Sequence, residues 1–285
     1  MSAQDLSPAA KKTKLDGSAN EEKLKKMIEK VKVVLLDIEG TITPITFVHD
    51  ILFPYIRKHL SDYLDKHWKE AECQQDVEAL RQLAAEDTKA GTPGAITIPA
   101  ASDDSKERKN IIQAVIESVN WLMDADRKVT ALKQLQGHMW KDGYVEGALM
   151  GQVYEDVVPI LEQWKRARKD IYIYSSGSVG AQKLLFGYST YGDLLYLFSG
   201  HFDTKIGMKV EADSYHKIAE EIKCQPEDIL FLTDVVREAK PAEEAGLNVA
   251  LVIRPGNAPL TDEDKQHYST LTSFDVLQPD NEFMR

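Results

Sequence analysis

The stretch Val33-Val34-Leu35-Leu36-Asp37-Ile38-Glu39-Gly40-Thr41 limits what this chain can fold into more than any other. Its four leading apolar residues, two of them β-branched, run without a polar break into an acidic pair and a glycine. A short apolar run closed by a turn signal is the pattern of a strand buried on both faces of a parallel sheet. Such a strand delivers the residues after it to its carboxyl end, the edge where open α/β sheets bind ligands. Asp37 and Glu39 stand two residues apart, so in extended geometry they point the same way and set two carboxylates at the mouth of a site. A plainer reading makes them a lead-in to the next helix, with Gly40-Thr41 forming a turn and an N-cap. This stretch alone does not choose between the two.

The rest of the chain supplies the context. Lys32–Asp37 reads as the first strand. After Thr41 the periodicity turns helical, with apolar residues three and four apart over 49–68, 74–88, 106–123 and 126–140, and with Pro54 in the first turn of the first of these. Gly91-Thr92-Pro93-Gly94 and the Pro-, Ala- and Ser-rich loop 96–104 break this run. From about residue 155 the rhythm is βαβ. Strands are expected at 171–174, 198–204, 229–232 and 248–253, helices at 155–167, 179–186, 212–223 and 236–245, and one or two short helices beyond 260. The fold class is therefore α/β: a mostly parallel, Rossmann-like sheet with helices on both faces and an inserted all-helical cap domain. The expected domains are a disordered basic arm over 1–26, a core over 27–43 and 151–285, and the cap over 44–150. A module inserted at the carboxyl edge of a sheet covers the active edge and can act as a lid.

Composition narrows the function classes. At 285 residues, 43% hydrophobic and 28% charged, the chain has an ordinary globular balance, and no window approaches a membrane span. The two cysteines, Cys73 and Cys224, form neither a disulfide framework nor a metal motif, which fits a reducing interior and a cytoplasmic location. The net charge of −11 disfavours a nucleic-acid partner. Residues 1–26 nevertheless hold six Lys and four acids, leaving −13 for the remainder. Within this arm the basic run Pro8–Asp16 resembles a nuclear-import signal, so a nuclear location is a second expectation. No partner other than a small-molecule substrate is expected, neither nucleic acid nor membrane, and the chain is taken as a monomer.

Three later strands also end in polar residues suited to phosphate chemistry. Ser175 and Ser176 offer hydroxyls and backbone N–H groups beside a helix N-terminus. Lys209 offers a compact positive charge, and Asp234 a third carboxylate. Asp37 and Asp234 on neighbouring strands suit Mg2+, which prefers oxygen ligands. The order Asp-x-x-Gly-Thr, strand–Ser, Lys, strand–Asp resembles the haloacid dehalogenase superfamily of phosphatases. Five segments match one member family more closely: Asp-Ile-Glu-Gly-Thr at 37–41, Tyr-Ile-Tyr-Ser-Ser-Gly-Ser-Val at 172–179, Gln-Lys-Leu-Leu-Phe-Gly at 182–187, Gly-His-Phe-Asp-Thr-Lys-Ile-Gly at 200–207 and Phe-Leu-Thr-Asp-Val at 231–235. With Gln-Gln-Asp-Val at 74–77 and Leu-Gln-Gly-His-Met-Trp at 135–140, they resemble enolase-phosphatase, also called acireductone synthase. Glu39 separates this family from most relatives, which place Asp there. Ile42 departs from the pattern, which has a second Thr or similar.

The resemblance implies a two-step reaction of methionine salvage. A 2,3-diketo-5-methylthiopentyl-1-phosphate is enolised, then dephosphorylated to the acireductone 1,2-dihydroxy-3-keto-5-methylthiopentene. It also implies residue roles. Asp37 is the nucleophile that forms an aspartyl-phosphate, and Glu39 the acid and base. Ser175, Ser176 and Lys209 hold the phosphoryl oxygens, and Asp37, the Glu39 carbonyl and Asp234 are the ligands of Mg2+. The base of the enolisation stays open between Glu39 and a cap residue. Two rival functions are a generic Mg2+-dependent small-metabolite phosphatase of the same superfamily and a nuclear interaction protein that retains the fold.

Further residues have two readings each. Glu238, four after Asp234, either faces the metal through water or is a helix-surface acid. His138 and Trp140 are ligands or, as is commoner at helical spacing, packing residues. Phe47 and His49 line a methylthio pocket or, for Phe47, belong to the cap core. Lys205 competes with Lys209 and is expected to be solvated, and Arg254 is expected to be structural.

Overall fold

The computed structural model describes residues 8–102 and 104–278, with side chains described from residue 17 onward. Six strands form one sheet: β1 (Val33–Leu36), β2 (Asp170–Tyr174), β3 (Gly200–Phe202), β4 (Ile229–Thr233), β5 (Asn248–Val252) and β6 (Ser269–Leu271). Their order is β3-β2-β1-β4-β5-β6 and every pairing is parallel. The sheet is thus wholly parallel rather than mostly so. β1 is central, and the strand order reverses between β1 and β4, the place where a doubly wound sheet opens a crevice at its carboxyl edge. All four residues of β1 and all five of β4 are buried, as expected of strands covered on both faces.

The chain divides into two compact units, one of residues up to Phe47 together with Met150 onward, the other Val48–Leu149. In the first, helices α1 (Pro8–Lys30), α6 (Val157–Arg166), α7 (Val179–Gly187), α8 (Ala212–Glu221), α9 (Val236–Glu244) and α10 (Asp262–His267) surround the sheet. Alternate residues of each strand face opposite layers. Val33, Leu35, Ile229 and Phe231 pack with Tyr215, Ile218, Ala239 and Ala242 of α8 and α9. On α6, Val157, Val158, Ile160, Leu161 and Trp164 are buried at helical spacing, and Trp164 Nε1 donates to Leu277 O at 3.0 Å.

The second unit consists of α2 (Phe53–His67), α3 (Ala71–Lys89), α4 (Ser105–Asp124) and α5 (Thr130–Val145). A six-residue π-helical stretch, Phe47–Leu52, leads into α2 where the sequence predicts continuous α-helix, and Pro54 occupies the first turn. Their common core joins Ile56, Leu60 and Leu64 with Val77 and Leu80, Val115 and Val119, and Leu135 and Met139. Asp104 caps α4 by accepting from the backbone N–H groups of Lys106 and Glu107.

Three sequence expectations need correction. The arm expected to be disordered over 1–26 is helical from Pro8, and Leu24 on α1 and Ile28, just beyond the arm, are fully buried. The import-like run Pro8–Asp16 has its side chains outside the described residues. Beyond residue 260 a sixth strand separates α10 from a 3-10 turn at Phe274–Leu277, because three residues are too few to show a period of two. The third strand shrinks to Gly200–Phe202 behind a 3-10 turn at Leu195–Leu197. Among the described residues, no helix is long and apolar enough to cross a membrane.

Candidate active site

β1 pairs with β2 through Leu36 and Ile173, and with β4 through Leu36 and Leu232. This register brings the residues after all three strands, including Asp37, Ser175 and Asp234, to one edge of the sheet. Asp37 N donates to Leu232 O at 3.0 Å, which carries the pairing one residue past the strand end. The chain then turns sharply. Thr41, Ile42 and Thr43 all donate from their backbone N–H groups to Ile38 O, and Gly40 N donates to Thr43 O. Gly40 takes φ +72, a left-handed conformation that glycine adopts without a Cβ penalty. A Cβ there would lie 2.5 Å from Asp234 Oδ2 and 2.7 Å from Asn257 Oδ1. Ile42, the departure from the family pattern, is fully buried, so an apolar side chain suits its place.

Lys209 reaches this edge from the loop between β3 and α8. The loop is pinned by three hydroxyls: Tyr174 donates to Gly207 O, Ser214 to Met208 O, and Tyr215 to Lys209 O, all within 2.9 Å. Lys209 Nζ lies 2.5 Å from Asp37 Oδ1 and 2.6 Å from Glu238 Oε2, with 7% of the lysine side chain exposed. Below it are the rings of Tyr174 and Phe231, 5.8 and 5.9 Å from the ammonium to each centroid. Lys205 is exposed on the same loop, as expected.

The electrostatics derive from this crowding. Burial opposes the charge on Lys209, but Asp37 and then Glu238 outweigh it and hold the ammonium above the ordinary lysine range. Burial, then Asp37, raises the Glu238 carboxyl. Asp234 is pushed up to about 7 by burial first, then by the charges of Asp37 and Glu238. The raised carboxyls of Asp234 and Glu238 reflect acidic side chains crowded around one lysine at this edge. Glu238 also accepts from Thr233 Oγ1 at 2.9 Å. Its place is against Lys209 within the site, so the helix-surface reading does not hold.

Asp37 is also touched by Thr41 Oγ1, which donates to Oδ2 at a long 3.4 Å. Glu39 is half-buried and forms a parallel bridge with Thr43. Ser175 is buried, donates from its N–H to Phe202 O, and accepts at Oγ from Gly177 N at 3.3 Å. Ser176 is exposed. The helix N-terminus beside them begins three residues later, at Val179, and is capped by Ser178, which accepts from Ala181 N.

Two residues after β5 complete the setting. Arg254 Nε donates to Thr41 O at 3.3 Å, another of its nitrogens pairs with Asp156 at 2.9 Å, and its guanidinium lies 4.2 Å from the Tyr154 ring centroid. Its structural reading is thus given content: it braces the acidic turn. Asn257 Nδ2 donates to Gly40 O at 2.9 Å, a contact across 217 residues that no local pattern announces. In the second unit, His138 Nδ1 lies 2.6 Å from Asp76 Oδ2 and its Nε2 lies 3.4 Å from Glu72. Trp140 Nε1 donates to Leu52 O. Both are engaged in packing rather than presented as ligands. Phe47 is buried, and His49 is exposed with its ring against Phe53.

A family model described as haloacid dehalogenase-like hydrolase matches residues 31–246. Proteins named Enolase-phosphatase E1 from Danio rerio and Xenopus tropicalis are each 58% identical, covering 88% and 86% of this chain and 95% and 93% of their own. The crystal structure of the UTR4 protein from Saccharomyces cerevisiae is 32% identical with a TM-score of 0.67, covering 86% of this chain and 99% of that one. A wholly parallel doubly wound sheet with acidic residues at its carboxyl edge, together with the family match, defines a haloacid dehalogenase-like hydrolase. Within that class the chain belongs to the enolase-phosphatase family.

Proposed function

We propose that this chain enolises 2,3-diketo-5-methylthiopentyl-1-phosphate and then hydrolyses the phosphate, giving the acireductone of methionine salvage. The observation that carries the chemistry is the buried contact of Lys209 with Asp37 at the end of β1. It marks Asp37 as a fixed carboxylate beside a cation that suits phosphoryl oxygens. The names of the relatives support the specific substrate over that of a generic small-metabolite phosphatase.

In the phosphatase step an Asp37 carboxylate oxygen attacks phosphorus in line, and the bond from phosphorus to the substrate oxygen breaks. Glu39 supplies the proton to that leaving oxygen. It then takes a proton from the water that hydrolyses the aspartyl-phosphate. Lys209, Ser175 and Ser176 hold the phosphoryl oxygens. Glu238 keeps Lys209 charged and aimed at Asp37. The enolisation base is left open, with Glu39 one candidate.

The residues present fit Mg2+. The donors are all oxygens, the carboxylates outnumber the one lysine, and Asn257 Oδ1 is buried beside them with no hydrogen-bond partner among the described residues. Asp37, the Glu39 carbonyl and Asp234 would hold the ion. When bound, Mg2+ offsets negative charge that otherwise repels a phosphate from Asp37. A substrate panel tests the assignment. Turnover concentrated on the diketo phosphate supports it, and comparable turnover of sugar phosphates contradicts it.

A further inference from the structure

The turn after β5 contains a polar group that the reaction above does not use. Asn257 is held by both amide hydrogens: Nδ2 donates to Gly40 O at 2.9 Å and to Val252 O at 3.3 Å. These two carbonyls fix which end of the amide is oxygen, since the other orientation would set oxygen against oxygen. The Oδ1 atom so oriented is buried, and no described residue donates to it. A buried acceptor left unmatched loses its hydrogen bond to water without replacement, so it calls for an explanation.

Its direction supplies one. The position that a Cβ on Gly40 would take lies 2.7 Å from Asn257 Oδ1 and 2.5 Å from Asp234 Oδ2. Two oxygens from different strand ends therefore converge on the flank of the same glycine. Each is an acceptor when Asp234 is ionised, so neither satisfies the other. A donor that serves both is a water molecule or a hydrated cation.

We propose that Asn257 is a positioning residue for the metal site: its Oδ1 accepts a hydrogen bond from water on the cation held by Asp37 and Asp234. The inference rests on the Mg2+ reading of the site given above. Partners of this kind orient the metal's surroundings, and removing one typically weakens metal affinity by roughly 10–100-fold. The donor side of the same amide, tied to the Gly40 carbonyl, keeps Oδ1 from rotating away.

The test is Mg2+ titration of the full chain by calorimetry, with unfolding of the metal-free protein followed in parallel. Asn257→Leu removes acceptor and donor at similar volume. Asn257→Asp removes the donor but keeps an acceptor oxygen. Asn257→Leu is expected to weaken Mg2+ binding by roughly 10–100-fold, and Asn257→Asp to restore it to within a few-fold of the parent. A purely structural tether to Gly40 would instead leave both variants equally impaired, and that result overturns the proposal. Unchanged Mg2+ affinity in Asn257→Leu overturns it as well. Should Asn257→Leu fail to fold, Asn257→Ala takes its place in the comparison. If the parent protein itself binds no Mg2+, the metal reading fails and this inference falls with it. Normal parent binding with an insensitive Asn257→Leu removes the inference alone.

Discussion

Lys209 Nζ sits between Asp37 Oδ1 and Glu238 Oε2, at 2.5 and 2.6 Å, so one buried ammonium joins the end of β1 to the first turns of α9. A buried ion pair is weak evidence for stability, because the desolvation of both partners offsets much of their attraction. In the proposed reaction its value lies in placement: the cation is held where a phosphoryl group would approach Asp37.

Removing that cation leaves two buried carboxylates facing each other. Lys209→Met is expected to lower stability at neutral pH by about 3–5 kcal/mol. The Glu238 carboxyl, already raised by burial and then by Asp37, loses the ammonium that opposes this, so stability recovers as the pH falls and it takes up a proton. Urea unfolding at pH 5 and pH 7.5 checks this. A loss of the same size at both values would show that packing, not charge, is responsible.

Asp37→Asn keeps the shape of the side chain and removes the proposed nucleophile. Phosphate release is expected to fall at least about a thousandfold, equivalent to roughly 4 kcal/mol of barrier, while circular dichroism stays native. Near-parent turnover would exclude Asp37 as the attacking group.

Glu39→Gln separates the two half-reactions. Loss of a positioned acid–base group is expected to slow dephosphorylation by roughly 10²–10⁴-fold. The enol phosphate is followed by its ultraviolet absorbance. Its accumulation would assign the enolisation base to another residue, and its absence would place Glu39 in both steps.

Asp234 gives the metal-free protein a pH signature. Burial, then Asp37 and Glu238, push its carboxyl to about 7 in the folded state, against 3.8 as its ordinary value. Between those values the folded state binds more protons than the unfolded one, so this group's contribution to stability falls as pH rises through that window. In EDTA, the unfolding temperature of the parent relative to Asp234→Asn is expected to drop between about pH 5 and pH 7.5. A constant difference would remove the raised carboxyl. The same proton competes with a cation, so Mg2+ affinity should rise over this range.

Much of this site was legible because its parts are local. A buried strand with polar residues directly after it recurs at Leu36–Asp37, Tyr174–Ser175 and Thr233–Asp234, and parallel pairing places all three at one edge. What was not legible depends on chain segments far apart. Nothing near Asn257 announces a bond to Gly40, and nothing near His138 announces Asp76, 62 residues earlier. The role of Glu238 depended on which way one helical turn faced, a question settled by Lys209 arriving from another loop. Strand β6 escaped because its three residues pair at the sheet edge with too little sequence to show alternation.

The most direct measurement is anaerobic release of inorganic phosphate from 2,3-diketo-5-methylthiopentyl-1-phosphate, with Mg2+ and with EDTA, while enol absorbance is followed in the same cuvette. Enol formation accompanied by Mg2+-dependent phosphate release is the predicted result. Folded protein that leaves this substrate untouched, or that releases phosphate equally well in EDTA, would contradict the account.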